Sequence, residues 1–407
     1  MSRRELLDVV VVGAGVVGAA AALAFARDGL NVALVEAREP APWRREVPDL
    51  RVYAFAPDNA ALLADLGVWN AVCAARVQPY RAMRIWDAAG GDAFAFDADH
   101  FARRELGWIV EHGLLVDRLW AALPAAGVQL LCPERVTGLE PGRPERGAEG
   151  ATLELGSGRR LRARLVLAAD GADSQLRTLA GVETAGHDYS QRGLVAFIET
   201  EQPHRDTCWQ RFLPGGPLAF LPFAAIDAGA PPGGGHCSSI VWTLPEAEAA
   251  RLLALADAPF LVELERAFDG PLGALRAVSK RAAFPLRRQL ARAQVAGRIA
   301  IVGDAAHVVH PLAGQGVNLG LRDVAALRVS VAAAMSRGGD IAAPAQLARW
   351  ARERRSENTV AAYAFDGLNK LFSNDAVAAT LLRGPLLGMA GKLPPLTRVL
   401  WRRAAGL

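Results

Sequence analysis

Residues 299–327 read IAIVGDAAHVVHPLAGQGVNLGLRDVAAL, and the fold turns on how this stretch is read. It opens on a short apolar run, Ile299 to Val302, of the kind that a strand buried on both faces needs. Gly303 breaks the run into a turn that carries Asp304 and His307. Pro311, Gly314 and Gly316 permit tight backbone geometry, and helical spacing resumes through Leu319, Val324, Leu327 and Val331. The unit is therefore a strand, a turn and a glycine-lined helix start. Such a helix end presents free N–H groups and a partial positive charge, which suits a phosphate, a pyrophosphate or an electron-rich ring oxygen.

A second unit of the same kind stands at the other end of the chain. Leu7 to Val12 are mostly apolar, GAGVVG opens a helix that runs to about Arg27, and Asn31 to Val35 read as the next strand. In this dinucleotide fingerprint Gly13 makes the turn, Gly15 lets a pyrophosphate approach the backbone, and Gly18 allows close helix–strand packing. Glu36 follows about 20 positions later, where an acid accepts hydrogen bonds from ribose hydroxyls. SRRELLD followed by an apolar run superficially resembles an export signal or a membrane span. The fingerprint spacing, the closing Asp28-Gly29 and the strand ending at Glu36 argue for a folded nucleotide unit instead.

The 407 residues suffice for two domains and a helical extension, and a 52% apolar, 22% charged composition is that of a globular protein with a sizeable core. The net charge is +4, but lysine occurs only at 280, 370 and 392, and no basic tract is interleaved with aromatics. Nucleic acid is therefore not an expected partner, while attraction to an anionic membrane surface stays open. Cys73, Cys132, Cys208 and Cys237 are far apart and form no CxxC pair, which points to a reducing cytosolic setting.

Between the two units the pattern alternates. Met83 to Trp86 and Ala93 to Phe96 read as short strands around Gly90-Gly91, Leu114 to Leu123 as a helix, and Gln129 to Cys132 and Val136 to Leu139 as strands. Ala151 to Leu155 and Arg160 to Leu167 read as a hairpin, followed by LVLAADGADSQLR, in which Asp170 and Gly171 form a turn and Ser174 caps a helix. Gly193 to Ile198, Cys208 to Leu213, Leu218 to Phe223 and Ser238 to Thr243 read as strands of a second sheet, with one helix from Glu246 to Phe268 and a Gly/Pro-rich loop at 228–235. Phe284-Pro285-Leu286 leads back to the anchoring stretch, and beyond Ser336 the chain is helical.

At GDAAH, Pro311, GQG, Asn318 and Asp323 the chain resembles the third flavin motif of single-component FAD-dependent aromatic hydroxylases. HPLAGQGVNLGLRD is similar, more narrowly, to the ubiquinone-biosynthesis hydroxylases, as are LNKLFSND and RGPLLGMAGKLPPLTRVL at 383–400, so the resemblance covers nearly the whole chain. It implies an α/β protein: a Rossmann-like FAD-binding domain, a second, mostly antiparallel substrate domain and a helical C-terminus. The expected pieces are 1–79, 106–185 and 285–340 for FAD, 80–105 and 186–284 for substrate, and 341–407 for the helical region. It places Asp304 near the ribityl chain and Gly314, Gln315 and Gly316, with Pro311, at the isoalloxazine. It also implies FAD contacts for Arg51 and Arg118 and a position for Asp170-Gly171 beside both FAD and the passing nicotinamide nucleotide.

Only one dinucleotide fingerprint is present, so NAD(P)H is expected to bind transiently. The resemblance implies that NAD(P)H reduces FAD and that O2 then hydroxylates a polyprenylated phenol through a flavin hydroperoxide. His310 is the candidate for assisting proton transfer. His307 and His310 lack a third ligand at metal spacing, so no metal is expected. Two alternatives stay open: a hydroxylase of a small soluble aromatic acid, whose pocket would hold a buried arginine, and a non-catalytic FAD-bound scaffold in a quinone-synthesis assembly. The expected location is cytoplasmic, with a peripheral contact at the inner membrane face or a quinone-synthesis complex open. The motifs do not state the oligomeric state.

Overall fold

The computed structural model describes residues 6–90, 93–142, 150–224, 235–309 and 316–372. Two large sheets organise them. The first has eight strands, and its parallel centre runs Ile299–Ile301, Arg160–Ala168, Leu7–Val12, Val32–Val35, Gln129–Leu131. Its strands are apolar at nearly every position because both faces are covered. Val9, Val11, Leu165 and Leu167 point into a core shared with the helices Val16–Arg27, His112–Ala122 and Gly316–Met335. Val10, Val12, Val166 and Ala168 point the other way, into a core closed by the antiparallel strands Val136–Glu140 and Ala151–Leu155.

The second sheet has nine strands, ordered His307–Val308, Ala282–Ala291, Thr184–Thr200, Cys237–Pro245, Gly216–Pro222, Thr207–Leu213, Ala82–Asp87, Phe94–Asp97, with Leu275–Val278 also paired to the long strand Thr184–Thr200. Every pair in it is antiparallel except Thr207–Leu213 with Ala82–Asp87. Alternation is strict here. Leu218, Phe220, Ile240, Trp242 and Leu194 face the helices Glu246–Ala254 and Asp257–Phe268. Pro217, Ala219, Leu221, Val241 and Thr243 face the opposite side, toward the first sheet.

The anchoring stretch joins the two sheets. Ile299–Ile301 lies in the first, Gly303–Ala305 forms a 3₁₀ turn, and His307–Val308 pairs with Gln289 and Leu290 in the second. The turn therefore sits at the seam.

Two readings of the sequence change. The single helix expected from Glu246 to Phe268 is two, because Leu255 and Ala256 are extended and Asp257 starts a new helix. Phe284-Pro285-Leu286 does not lead out of the second sheet but lies within Ala282–Ala291, where Pro285 pairs with Arg192. Among the described residues the strand is an edge at that point, its outer partner reaching only Gln289 and Leu290, which is where a sheet accepts proline. The C-terminal helix begins at Pro344 and is described to Phe372. Pro311, His310, Gly314, Gln315, most of the Gly/Pro loop and the chain beyond 372 lie outside the described residues.

Candidate active site

A cleft of about 1170 Å³ runs along the seam between the sheets. That exceeds the 300–1,000 Å³ of an ordinary small-molecule pocket and leaves room for a dinucleotide together with a second aromatic compound.

Its polar half is built from backbone turns. Gly13 has φ +100°, and a Cβ there would stand 2.4 Å from the Ala169 carbonyl oxygen, so only glycine lets the two strand ends approach. A Cβ on Gly18 would lie 1.9 Å from the Gly13 oxygen, which makes Gly18 a packing residue. Gly15 differs: no atom lies within 4 Å of where its Cβ would be, and the residue lines the cleft. Open space over a helix N-terminus is the cradle that a pyrophosphate requires, so this turn fits FAD. Glu36 also lines the cleft, with its Oε2 accepting from the Ala14 N–H at 2.6 Å.

The Asp170-Gly171 turn borders the same half. The Asp170 carboxylate accepts from Ser174 Oγ and from the Leu176 N–H at 3.0 Å, so its charge is spent on capping the helix Gln175–Leu179. Arg177 then ties this turn to the anchoring stretch, donating to the carbonyls of Ala172 at 3.1 Å and Ala305 at 2.8 Å. Asp304 is exposed to the cleft, and among the described residues its carboxylate has no hydrogen-bond partner. Gly316 stands opposite, at the start of its helix, where a Cβ would sit 4.0 Å from Asp304 Oδ1.

Arg51 lines the cleft wall. Arg118 does not: it lies six residues along the helix from His112, about 9 Å down the axis, pairs with Asp117 at 2.5 Å and faces the Trp43 ring at 5.8 Å. Asn318 is also placed away from the cleft. It is fully buried and bonds the Ala56 N–H at 2.9 Å, the Ala54 carbonyl at 2.8 Å and Asn59 Nδ2 at 2.9 Å, which locks its helix to the chain after Arg51.

Tyr53 and His112 join the site although no sequence motif marks them. Tyr53 Oη and His112 Nδ1 are 2.9 Å apart, and both residues line the cleft. Burial, and then the charge of Arg51, lowers the His112 pKa to about 4, while burial pushes the Tyr53 hydroxyl above its ordinary value. At neutral pH both are uncharged, so this pair puts polar groups on the cleft wall without adding a net charge. The only signal in the sequence is position: Tyr53 stands two residues from Arg51, and His112 opens a helix.

The other half is apolar. Met83, Ile85, Phe94, Phe96, Phe212, Ala219, Leu221 and Val241 form its floor, one face of the second sheet. Three arginines line the cleft among the described residues, Arg51, Arg135 and Arg287, and none is buried. Arg287 is paired with Asp173 at 2.7 Å.

Residues 6–361 match the FAD binding domain family. The ubiquinone hydroxylase UbiL of Rhodospirillum rubrum is 37% identical over 408 aligned residues, covering 100% of this chain and 91% of that protein. The 3-demethoxyubiquinol 3-hydroxylase of Escherichia coli is 36% identical, covering 98% of each. The crystal structure of the p-nitrophenol 4-monooxygenase PnpA from Pseudomonas putida matches with a TM-score of 0.77 at 20% identity, over 97% of this chain and 96% of that one, which speaks for the fold. With its fingerprint, its second-sheet floor and full-length relatives of this kind, the chain belongs to the FAD-binding family of flavoprotein monooxygenases, in the group of the ubiquinone hydroxylases.

Proposed function

We propose that this enzyme hydroxylates the aromatic ring of a polyprenylated phenol on the route to ubiquinone, using O2 and NAD(P)H. The observation that carries the substrate class is the floor of the cleft. It extends across seven strands, from Phe94–Asp97 to Ala282–Ala291, about 29 Å at the usual strand spacing, and is mostly apolar, with Gln210 and Thr243 as its uncharged polar side chains. A small aromatic acid would need a desolvated cation for its carboxylate, and the described lining residues offer no buried arginine or lysine. A single ring with a long apolar tail matches the floor in both length and polarity.

Bound FAD supplies the chemistry, accepting hydride equivalents from NAD(P)H and passing one oxygen atom of O2 to the ring. The chain's own part is positioning. The Gly15 turn and the helix N-terminus would hold the pyrophosphate, Glu36 would take the ribose, and Asp304 would meet the sugar-alcohol chain. The N-terminus of Gly316–Met335 directs a partial positive charge into the cleft, which favours electron-rich oxygens there. The apolar floor keeps water from the reacting ring. We assign proton transfer to His310 from its place in the motif. The nicotinamide nucleotide has no second fingerprint to bind and acts as a visiting reductant.

Among the described residues no helix is long and apolar enough to cross a membrane. A substrate with a prenyl tail resides in the bilayer, so the enzyme is expected to meet it at the surface. The arginines at 383, 398, 402 and 403 with their leucine neighbours suit such a contact.

Mass spectrometry of quinone lipids from a strain lacking the gene tests the proposal. Accumulation of a prenylated ring short of one hydroxyl is expected and would identify the carbon. A normal quinone profile in a strain with no redundant hydroxylase would overturn it.

A further inference from the structure

The acid of the third motif, Asp323, does not reach the cleft. It is fully buried on the helix Gly316–Met335 and accepts four hydrogen bonds. Two come from the cofactor side: the Gly303 N–H at 3.1 Å and His307 Nε2 at 2.5 Å, both on Asp323 Oδ2. Two come from the C-terminal helix Pro344–Phe372: Arg354 Nε at 2.9 Å and Asn358 Nδ2 at 3.1 Å, both on Oδ1. Trp350 Nε1, one turn before Arg354, donates to the Asp323 main-chain oxygen at 3.2 Å. Trp350, Arg354 and Asn358 are spaced four apart and so present one helix face to this single residue.

Gly303 and His307 bracket the turn that aims Asp304 into the cleft. A buried carboxylate whose bonds are all made is rigid, and removing one cationic partner leaves a charge that the interior tolerates poorly. With Arg354 absent, Asp323 would lose its guanidinium partner, and the turn holding His307 and Gly303 would have to adjust. We propose that Arg354 and Asn358 are positioning residues for the flavin site: acting through Asp323, they hold the Gly303–His307 turn, so docking of the C-terminal helix and binding of FAD are coupled. Coupling of this kind is reciprocal, and FAD must in turn tighten the helix.

Two measurements on the full chain test this. The first is FAD affinity, from fluorescence quenching on titration of apoprotein, for Arg354→Met, Arg354→Lys, Asn358→Ala and Leu347→Ala. Leu347 is fully buried on the same helix but makes no bond to Asp323, so Leu347→Ala loosens packing alone. Arg354→Met is expected to weaken FAD about tenfold or more, and Arg354→Lys to recover part of the loss, since lysine keeps the charge but not the fork. Leu347→Ala should leave affinity within about twofold. The second is hydrogen exchange of the unaltered protein with and without FAD. Residues 350–358 should gain protection on binding, while the helix Asp257–Phe268, packed on the far face of the second sheet, should not. Wild-type affinity in a folded Arg354→Met, or equal losses in Arg354→Met and Leu347→Ala, would overturn the proposal. Should Arg354→Met not fold, unchanged exchange over 350–358 decides against it just as firmly.

Discussion

The two halves of the cleft are made in opposite ways. The nucleotide half is a set of backbone turns, each forced by a residue that only that turn accepts: Gly13 at φ +100°, Gly171 at φ +85°, Ser174 capping its helix. The floor half is a set of side chains on an ordinary sheet face, where any apolar residue of similar size would serve. The first half is rigid and chemically demanding. The second is permissive, and its demand is only that no charge be left without a partner. Substitutions should therefore separate cofactor from substrate along this line.

The largest effect is expected at Gly15. The Cβ of Gly15→Val meets no protein atom, so the chain should fold, yet the side chain would fill the pyrophosphate approach and the purified protein should lack yellow flavin. Gly18→Val should instead yield little folded protein, because its Cβ would lie 1.9 Å from the Gly13 oxygen. Stoichiometric FAD in Gly15→Val would break the comparison at its base. Next comes the floor: Ala219→Asp puts a charge on an apolar face and should lower kcat/KM for a prenylated phenol about 100-fold, near 3 kcal/mol, with FAD retained. Loss of FAD in that variant would show that the halves are not separable.

Smaller effects sharpen the polar half. Asp304→Ala should weaken FAD about tenfold, as loss of one hydrogen-bonding carboxylate implies, and Arg118→Ala by less than about twofold, since Arg118 does not line the cleft. Titration of fluorescence quenching separates the two, and a larger loss in Arg118→Ala would place that arginine at the cofactor after all.

Protonation gives the finest test. His112 takes its proton near pH 4 in the folded protein, against 6.5 in an unfolded chain. Between those values the unfolded state binds the extra proton, so stability should fall as pH drops through the window, with a slope approaching about 1.4 kcal/mol per pH unit, and this loss ends near pH 4. Asp323 acts lower. Burial alone would raise its carboxyl, but His307 and Arg354 more than offset this and hold it below its ordinary 3.8, so its contribution is present above that value and drains as pH falls further. Urea midpoints measured from pH 7 to pH 4 should slope in the native protein and slope less in His112→Gln, where buried His204, its proton affinity also lowered by burial, still contributes. An unchanged slope would mean that other groups carry the pH dependence.

Much of the cofactor half is legible in the amino-acid sequence itself. Each of its turns is local, a strand followed by glycines followed by a helix, and the φ that glycine permits, the cap that serine supplies and the period of the apolar residues are properties of neighbours in sequence. The expected antiparallel second sheet also stands, because alternation over five or more residues marks a strand that is covered differently on its two faces. The break at Leu255 is not legible, since LLALADAPF keeps apolar residues at helical spacing across two extended residues.

What only the tertiary structure decided is set by distance along the chain. Tyr53 meets His112 across 59 residues, Arg354 reaches Asp323 across 31, and Asn318 locks onto Ala56 across 262. A hydrogen bond between such residues depends on how whole elements pack, and packing is decided by the summed burial of many side chains rather than by any motif. Local spacing therefore determined that a dinucleotide-type fold would form and where its phosphate turns lie, and the resemblance of its motifs to those of the FAD-dependent hydroxylases implied that the nucleotide is FAD. That Asp323, unlike Asp304, is buried as a hub away from the cleft followed only once the two sheets had closed on each other.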